Sequence, residues 1–254
     1  MFNGRGFWTL IEKEYYRFGR LAAQTIAPPV ISTLLFIVIF GYSLGDSIRE
    51  IHHLSYIVYL IPGLTAMGIM SNSFSNAATS LFMARMDRSI ENILVAPLSH
   101  FQIVLSYVVG GLTRGLAVGV VTLLVSVLLT DLTIHSYVGV LIVTALLSII
   151  YSCFGIITAL WADDWDHLAT FSNFVMTPLE YLGGVFYSVK HLPPLWQKLS
   201  ILNPVYYWVD GFRGQVLGIV EVPVLHSLLF LSGMALGMFL LSVYLFQRGW
   251  KMIY

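Results

Sequence analysis

Residues 137–161 read YVGVLIVTALLSIIYSCFGIITALW, a run without a single charged side chain. A helix needs roughly 20 mostly apolar residues to cross about 30 Å of hydrocarbon. This stretch meets that length. Backbone polar groups must be satisfied within such a segment, so it reads as a transmembrane helix. Working outward from it, five further segments qualify: 21–44, 56–82, 101–130, 168–187 and 224–246. A β-barrel would show ten-residue strands of alternating character. Leu34-Leu-Phe-Ile-Val-Ile-Phe40 does not alternate. The predicted fold is an all-α membrane protein with six transmembrane helices in one domain, 1–254.

Composition agrees. Of 254 residues, 57% are hydrophobic and only 10% are charged. Soluble domains sit nearer 45–50% and about 25%. The formal net charge is zero, which gives no basic excess for nucleic acid. The single cysteine, Cys153, excludes an intramolecular disulfide. The first 20 residues carry charges throughout and lack the apolar core of a signal peptide, so the first span is expected to stay uncleaved.

Lys and Arg in the short loops set the orientation. With the N-terminus in the cytoplasm, the inside holds Arg5, Lys13, Arg17, Arg20, Arg85, Arg88, Arg248 and Lys251. The outside holds Arg49, Lys190, Lys198 and Arg213. Both termini are therefore expected to be cytoplasmic.

Three pieces do not span. In 6–20, Phe7, Ile11, Tyr15 and Phe18 recur at helical spacing while Glu12, Lys13 and Arg17 face away, with Trp8 at headgroup level. That is an interfacial helix, or a plain juxtamembrane extension. The loop 83–98 carries Arg85, Asp87, Arg88 and Glu91 and ends at Pro97. It is either a solvated hairpin or a short mixed-sign helix offered as a docking surface. The segment 189–221 is broken by Pro193-Pro194, Asn203-Pro204 and three glycines, yet Trp196, Leu199, Ile201 and Trp208 are too apolar for a solvated loop. Short helices half-sunk at the outer interface, or re-entrant, satisfy both facts.

Inside the membrane, Gly111, Gly115 and Gly119 form a small-xxx-small stripe that lets another helix approach closely. Arg114 lies about fourteen residues into its span, roughly 21 Å deep. A charge there must be paired, snorkelled or wetted. Glu180 lies at similar depth in the fifth span. Either the two pair or Glu180 faces an aqueous path; the alternative is that Arg114 bonds backbone carbonyls and Glu180 is protonated. Asn72, Phe74 and Asn76 in the second span, with Phe171, Phe174 and Pro178 in the fifth, line a pathway or simply hold the bundle together.

No Gly-Lys dipeptide occurs, so no phosphate-cradling P-loop is present. There is no His-Glu-x-x-His motif and no cysteine cluster. The seven histidines lie mostly in loops, and no metal site is expected.

These residues together resemble the type-2 ABC (ATP-binding-cassette) exporter permeases, especially a bacterial inner-membrane subgroup. The resemblance covers nearly the whole chain. It rests on Gln24-Thr-Ile-Ala-Pro-Pro-Val30, Val58-Tyr-Leu-Ile-Pro-Gly-Leu64 and Arg88-Ser-Ile-Glu-Asn-Ile-Leu-Val-Ala-Pro97. It continues with Gly110-Gly-Leu-Thr-Arg-Gly115, Thr177-Pro-Leu-Glu-Tyr-Leu-Gly-Gly-Val-Phe-Tyr187, Leu192-Pro-Pro-Leu-Trp196 and Asn203-Pro-Val-Tyr-Tyr207. Glu180 departs from it, standing where an uncharged residue is expected. The resemblance implies two permeases and two separate ATPase subunits that carry ATP and Mg, with no cofactor on this chain. Residues 6–20 would be the connecting helix and 83–98 the coupling helix, with Arg85, Arg88, Glu91 and Asn92 contacting the ATPase. The second and fifth spans would line the pathway at the dimer interface, and 189–221 would cap it. Scarce charge along that pathway points to amphipathic or apolar cargo. Two other classes remain open: an ion-coupled secondary transporter, which would want mid-depth acids and inverted repeats, and a membrane assembly protein without transport.

Overall fold

The computed structural model describes residues 3–40 and 54–249, and all regular structure among them is helical. Helix α1 (Gly4–Val38) starts at Asn3, whose side chain accepts from the Gly6 N–H at 3.2 Å. The expected boundary near residue 20 is absent, and α1 runs on for 35 residues, about 50 Å. It continues through Pro28 and Pro29, which withdraw two N–H donors from the helix interior. The end of the first predicted span, 41–44, lies outside the described residues.

Helix α2 (Tyr56–Met86) turns through the short α3 (Ser89–Val95) into α4 (His100–Leu129). The start of α4 is fixed by a reciprocal cap between Ser99 and Gln102. Helix α5 (Tyr137–Trp161) opens at Ser136, whose hydroxyl accepts from the Gly139 N–H at 3.1 Å. Together α2, α4 and α5 form the core. A Cβ on Gly111 would collide with Ser152 of α5 and approach the Ser73 carbonyl of α2 to 3.0 Å. One on Gly155 would press on Phe74 and come within 2.9 Å of the Ala78 nitrogen. The expected small-residue stripe thus seats α4 against both neighbours. The hydroxyls of Ser73 and Ser148 beside Gly115 have no hydrogen-bond partner among the described residues, so smallness rather than bonding holds this seam.

Helices α1, α2, α4, α5 and α10 (Val224–Gln247) are long and apolar enough to cross a membrane. The predicted span 168–187 is not one helix. Helix α6 (Trp165–Phe171) passes through a π-turn at Ser172–Met176 into α7 (Thr177–Leu182). There the Thr177 N–H reaches back five residues to the Ser172 carbonyl. Pro178, having no N–H, cannot close an ordinary turn with Phe174, and the widened turn adapts the ladder to it. The chain leaves the helix at Gly183, and Gly184 takes a φ of 78°.

A single 3₁₀ turn, Val189–His191, leads to α8 (Pro194–Leu202) and α9 (Pro204–Leu217). Asn203 joins the last two, accepting from the Val205 N–H and donating to the Leu179 carbonyl at 2.6 Å. Helix α9 is buried around most of its girth and packs on α2, α5, α7 and α10. By contrast α8 leaves Leu195, Trp196 and Leu202 exposed.

The bundle has two distinct ends. At one, Phe82 meets Trp165, His100 meets Phe246, and Gln102 donates to the Asn3 carbonyl. At the other, the N–H groups of His135 and Ser136 bond the carbonyls of Val216 and Gln215, both at 2.9 Å. Tyr56 donates there to the Phe186 carbonyl.

Candidate functional site

The turn between α2 and α4 is held from below and open above. Arg85, 4% exposed, points inward, and its Nη1 donates to the carbonyls of Ala159 and Ala162 at the end of α5. Those carbonyls have no N–H beyond them in the helix, and a guanidinium satisfies them while meeting the negative end of the helix dipole. This corrects the expectation of a surface Arg85. Arg88 has a left-handed backbone, with φ of 59°, and is exposed. The Ser89 N–H donates to Asp87 at 2.9 Å, and its bonds to Ser89 hold the Asp87 carboxyl below the usual aspartate range. Met86, Asp87, Arg88, Glu91, Asn92 and Val95 face outward, Val95 at 86% exposure. A protruding surface of mixed sign with apolar edges results, rigidly tied to three core helices.

A second polar constellation was missed in the sequence. Glu14 is 2% exposed. It accepts from the Ser80 hydroxyl at 2.6 Å and the Asn76 amide at 3.5 Å, and Lys13 stands 3.6 Å away. Arg17 donates through Nη2 to the Asn76 carbonyl at 2.8 Å, the Asn76 side chain at 3.2 Å and the Thr79 hydroxyl at 3.0 Å. This network clamps the start of α1 to α2. It requires a different face from the one expected. Ile11, Glu14 and Phe18 turn inward, while Tyr15, 47% exposed, turns out. The signal lay in helical spacing: Glu14 stands three residues after Ile11 and four before Phe18.

The intramembrane residues divide. Arg114 donates from Nε to the Asn72 side chain at 3.2 Å, and Asn72 donates to the Gly68 carbonyl at 2.9 Å. Arg114 and Glu180 form no ion pair with each other, unlike Lys13 with Glu14 and Asp164 with His167. The reason is packing, since α4 lies against α1, α2, α5 and α10 whereas α7 lies on α9. Glu180 is buried instead, near enough to Tyr151 for the two to interact electrostatically. Of the expected pathway residues, Phe74 is buried and stacks on Phe171 at 5.9 Å, and Asn76 is absorbed by the α1 clamp. Phe174, 78% exposed, and Pro178 are accessible. A cavity of about 300 Å³ opens between α1, α2 and α7, lined by Pro28, Pro29, Ser71, Asn72, Tyr181 and Phe186 among others.

At the opposite end, Arg213 donates to the Gly184 carbonyl at 2.8 Å and stacks 4.1 Å over the Tyr59 ring. Asp210 accepts from the N–H groups of Glu221 and Val222 at 2.9 Å, and Glu221 accepts from Tyr206 and Ser188. Segment 183–223 is thereby a folded closure of that end. The spelling Gly41-Tyr-Ser-Leu-Gly45 matches a hydrolase nucleophile elbow, but an elbow follows a strand, and here α1 precedes it. These five residues lie outside the described ones. No cluster with metal-ligand composition occurs among the described residues.

A helical bundle with five membrane-length helices among the described residues, an exposed turn at one end and a packed segment at the other is a polytopic membrane protein. Residues 5–217 match the model of the ABC-2 type transporter family, and the chain belongs to that family. It is 39% identical over 247 residues to the inner membrane transport permease YadH of Escherichia coli K12, covering 96% of each chain. It is 25% identical to nodulation protein J of Neorhizobium galegae over 83% of this chain and 81% of that one. Nodulation protein J of Rhizobium meliloti is 24% identical over 97% and 94%.

Proposed function

We propose that this chain is the membrane-spanning permease subunit of an ATP-driven exporter of the bacterial cytoplasmic membrane. Two copies form the pathway, and two separate ATPase subunits supply ATP and Mg. The observation that carries the reading is the exposed turn 86–95, stiffly joined to α2 and α4 directly and to α5 through Arg85. Family membership and the resemblance to a named inner membrane transport permease support it.

In this reading the turn is the coupling helix and faces the cytoplasm with both termini. Arg88, Glu91 and Asn92 engage the ATPase. Arg85 acts from behind, passing displacement of α3 to the end of α5. Closure of the ATPase dimer on ATP favours one permease state by its differential affinity for the two, and the bundle rocks as rigid bodies. The run from Trp165 to Leu182 supplies the sixth span; it reaches roughly 27 Å at 1.5 Å per residue. Helices α8 and α9 form the re-entrant cap at the outer face. The cavity at Asn72 and Tyr181, with exposed Phe174 and Pro178, belongs to the pathway, and its cargo is amphipathic or apolar. Charge reversal at both Arg88 and Glu91 is expected to abolish co-purification with the ATPase and stimulated ATP hydrolysis while leaving the permease folded. A complex that survives the double reversal with full activity would refute the docking assignment.

A further inference from the structure

The start of α1 carries more positive charge than the protein neutralises. Lys13, Tyr16, Arg17, Arg20 and Leu21 line an open cavity of about 590 Å³. All three hydrogen bonds of Arg17 leave from Nη2, and Nη1 makes none among the described residues. Arg20 is exposed and forms no hydrogen bond or ion pair there. Arg114 lies close enough to Arg17 to feel its charge, and its one hydrogen bond goes to the neutral Asn72. Three carboxylates stand against the four cations: Glu12, exposed beside Lys13 on α1 and in no ion pair among the described residues, then Glu14, which acts electrostatically on Arg17, and Asp87. Glu14 is engaged by Ser80, Asn76 and Lys13, and Asp87 acts on Lys13 from the end of α2. Among the described residues, Arg17, Arg20 and Arg114 are left with no ion pair.

The place of this cluster matters as much as its sign. Leu21 begins the apolar part of α1, and exposed Trp8 and Tyr16 flank the cations on the same helix. Aromatic rings settle at the headgroup level, and basic pockets beside membrane helices attract acidic headgroups. A phosphodiester seated between Arg17 and Arg20 would leave its acyl chains running along Leu21. Asn76 and Thr79 fix the Arg17 fork beforehand, so binding costs that side chain little further ordering.

We infer that Lys13, Arg17 and Arg20 form a binding site for the phosphate headgroup of an anionic inner-leaflet phospholipid. The site rests on the orientation used above, with the start of α1 at the cytoplasmic leaflet, but not on ATP-driven transport. The full-length permease in neutral detergent is titrated with phosphatidylglycerol or phosphatidylcholine, and retained lipid is counted by native mass spectrometry. Phosphatidylglycerol is expected to be retained selectively. Arg20→Gln, which removes no hydrogen bond or ion pair among the described residues, is expected to weaken it about fivefold, the effect of one basic residue at an acidic surface. Arg17→Gln with Arg20→Gln is expected to bring it to the phosphatidylcholine level. Arg5→Gln, a cation of the same helix outside the cavity, should change nothing, and glycerol phosphate at equal concentration should not displace the lipid. Equal retention of the two lipids, equal loss in Arg5→Gln, displacement by glycerol phosphate, or a change only in the dimer fraction would each overturn the assignment. ATPase stimulation measured on the same preparations reports separately on the transport reading.

Discussion

Glu14 and Glu180 are both buried carboxyls, yet their surroundings assign them opposite roles. Glu14 has Ser80, Asn76 and Lys13 around it. Removing it leaves the buried Ser80 hydroxyl and Asn76 amide without that acceptor, which costs about 1–3 kcal/mol. Glu14→Ala is therefore expected to lower the thermal midpoint of the detergent-solubilised protein and loosen α1, with Glu14→Gln falling between. Unchanged melting in Glu14→Ala would contradict the clamp. Glu180 has no ion pair among the described residues. Glu180→Gln keeps its shape and is expected to leave the midpoint unchanged or raised. In a double-mutant cycle with Arg114→Gln, the coupling is expected to stay below about 0.5 kcal/mol, as for distant sites. Both charges are visible in the sequence, but their separation is not. It depends on which faces α4 and α7 turn to their neighbours, and a charge in an apolar run does not report that.

Elements are decided by how closely their backbones approach. Gly155 sits where a Cβ would meet Phe74 and the Ala78 nitrogen at 2.9 Å, both main-chain neighbours that cannot swing away. Gly155→Ala is expected to cost about 1–3 kcal/mol through overpacking. Gly233 and Gly237 of α10 have nothing within 4 Å. Alanine there is expected to stabilise by about 0.5–1 kcal/mol, the intrinsic helix preference. Melting curves of the three variants check both signs together; a loss in all three would show that α10 is packed against something at those positions. The apolar runs and the small-residue stripe made five long helices legible beforehand. Three features were hidden. The chain from 4 to 38 reads as two pieces because the charges up to residue 20 give way to an apolar run, although packing against α4 carries one helix through. The 168–187 run hides its π-turn because hydropathy is blind to the ladder around Pro178. A shift of one residue in the inner face of α1 replaced Tyr15 by Glu14, which composition would have placed outside.

For the whole molecule, the two ends are unlike. One presents the turn 86–95, braced by Arg85 beneath it; the other is sealed by Asp210, Arg213 and Glu221. That asymmetry fits the proposed reading, in which the bundle is driven from the end that bears the turn. A lysine in place of Arg85 would keep one charge, but its ammonium stands one bond short of Nη1, the single nitrogen that meets both carbonyls, and lacks the fixed planar geometry that aims it. Arg85→Lys is accordingly expected to preserve ATPase binding while reducing stimulated transport severalfold, measured in proteoliposomes with the paired subunits. Loss of binding and transport together would place Arg85 in the docking contact itself. The exposed turn was readable in part: Arg88, Glu91 and Asn92 do face outward, while Arg85 is drawn inward by carbonyls some seventy-four residues away in the chain.

The orientation of the turn 86–95 is the most exposed part of this account, and one labelling measurement reaches it. Asn92→Cys, with the buried Cys153 as the only other thiol, is treated with a membrane-impermeant maleimide in right-side-out vesicles. Protection until the vesicles are permeabilised is the expected result, with labelling blocked again when the ATPase is bound. Immediate labelling from the outside would put the turn on the wrong face of the membrane and contradict the permease mechanism built on it.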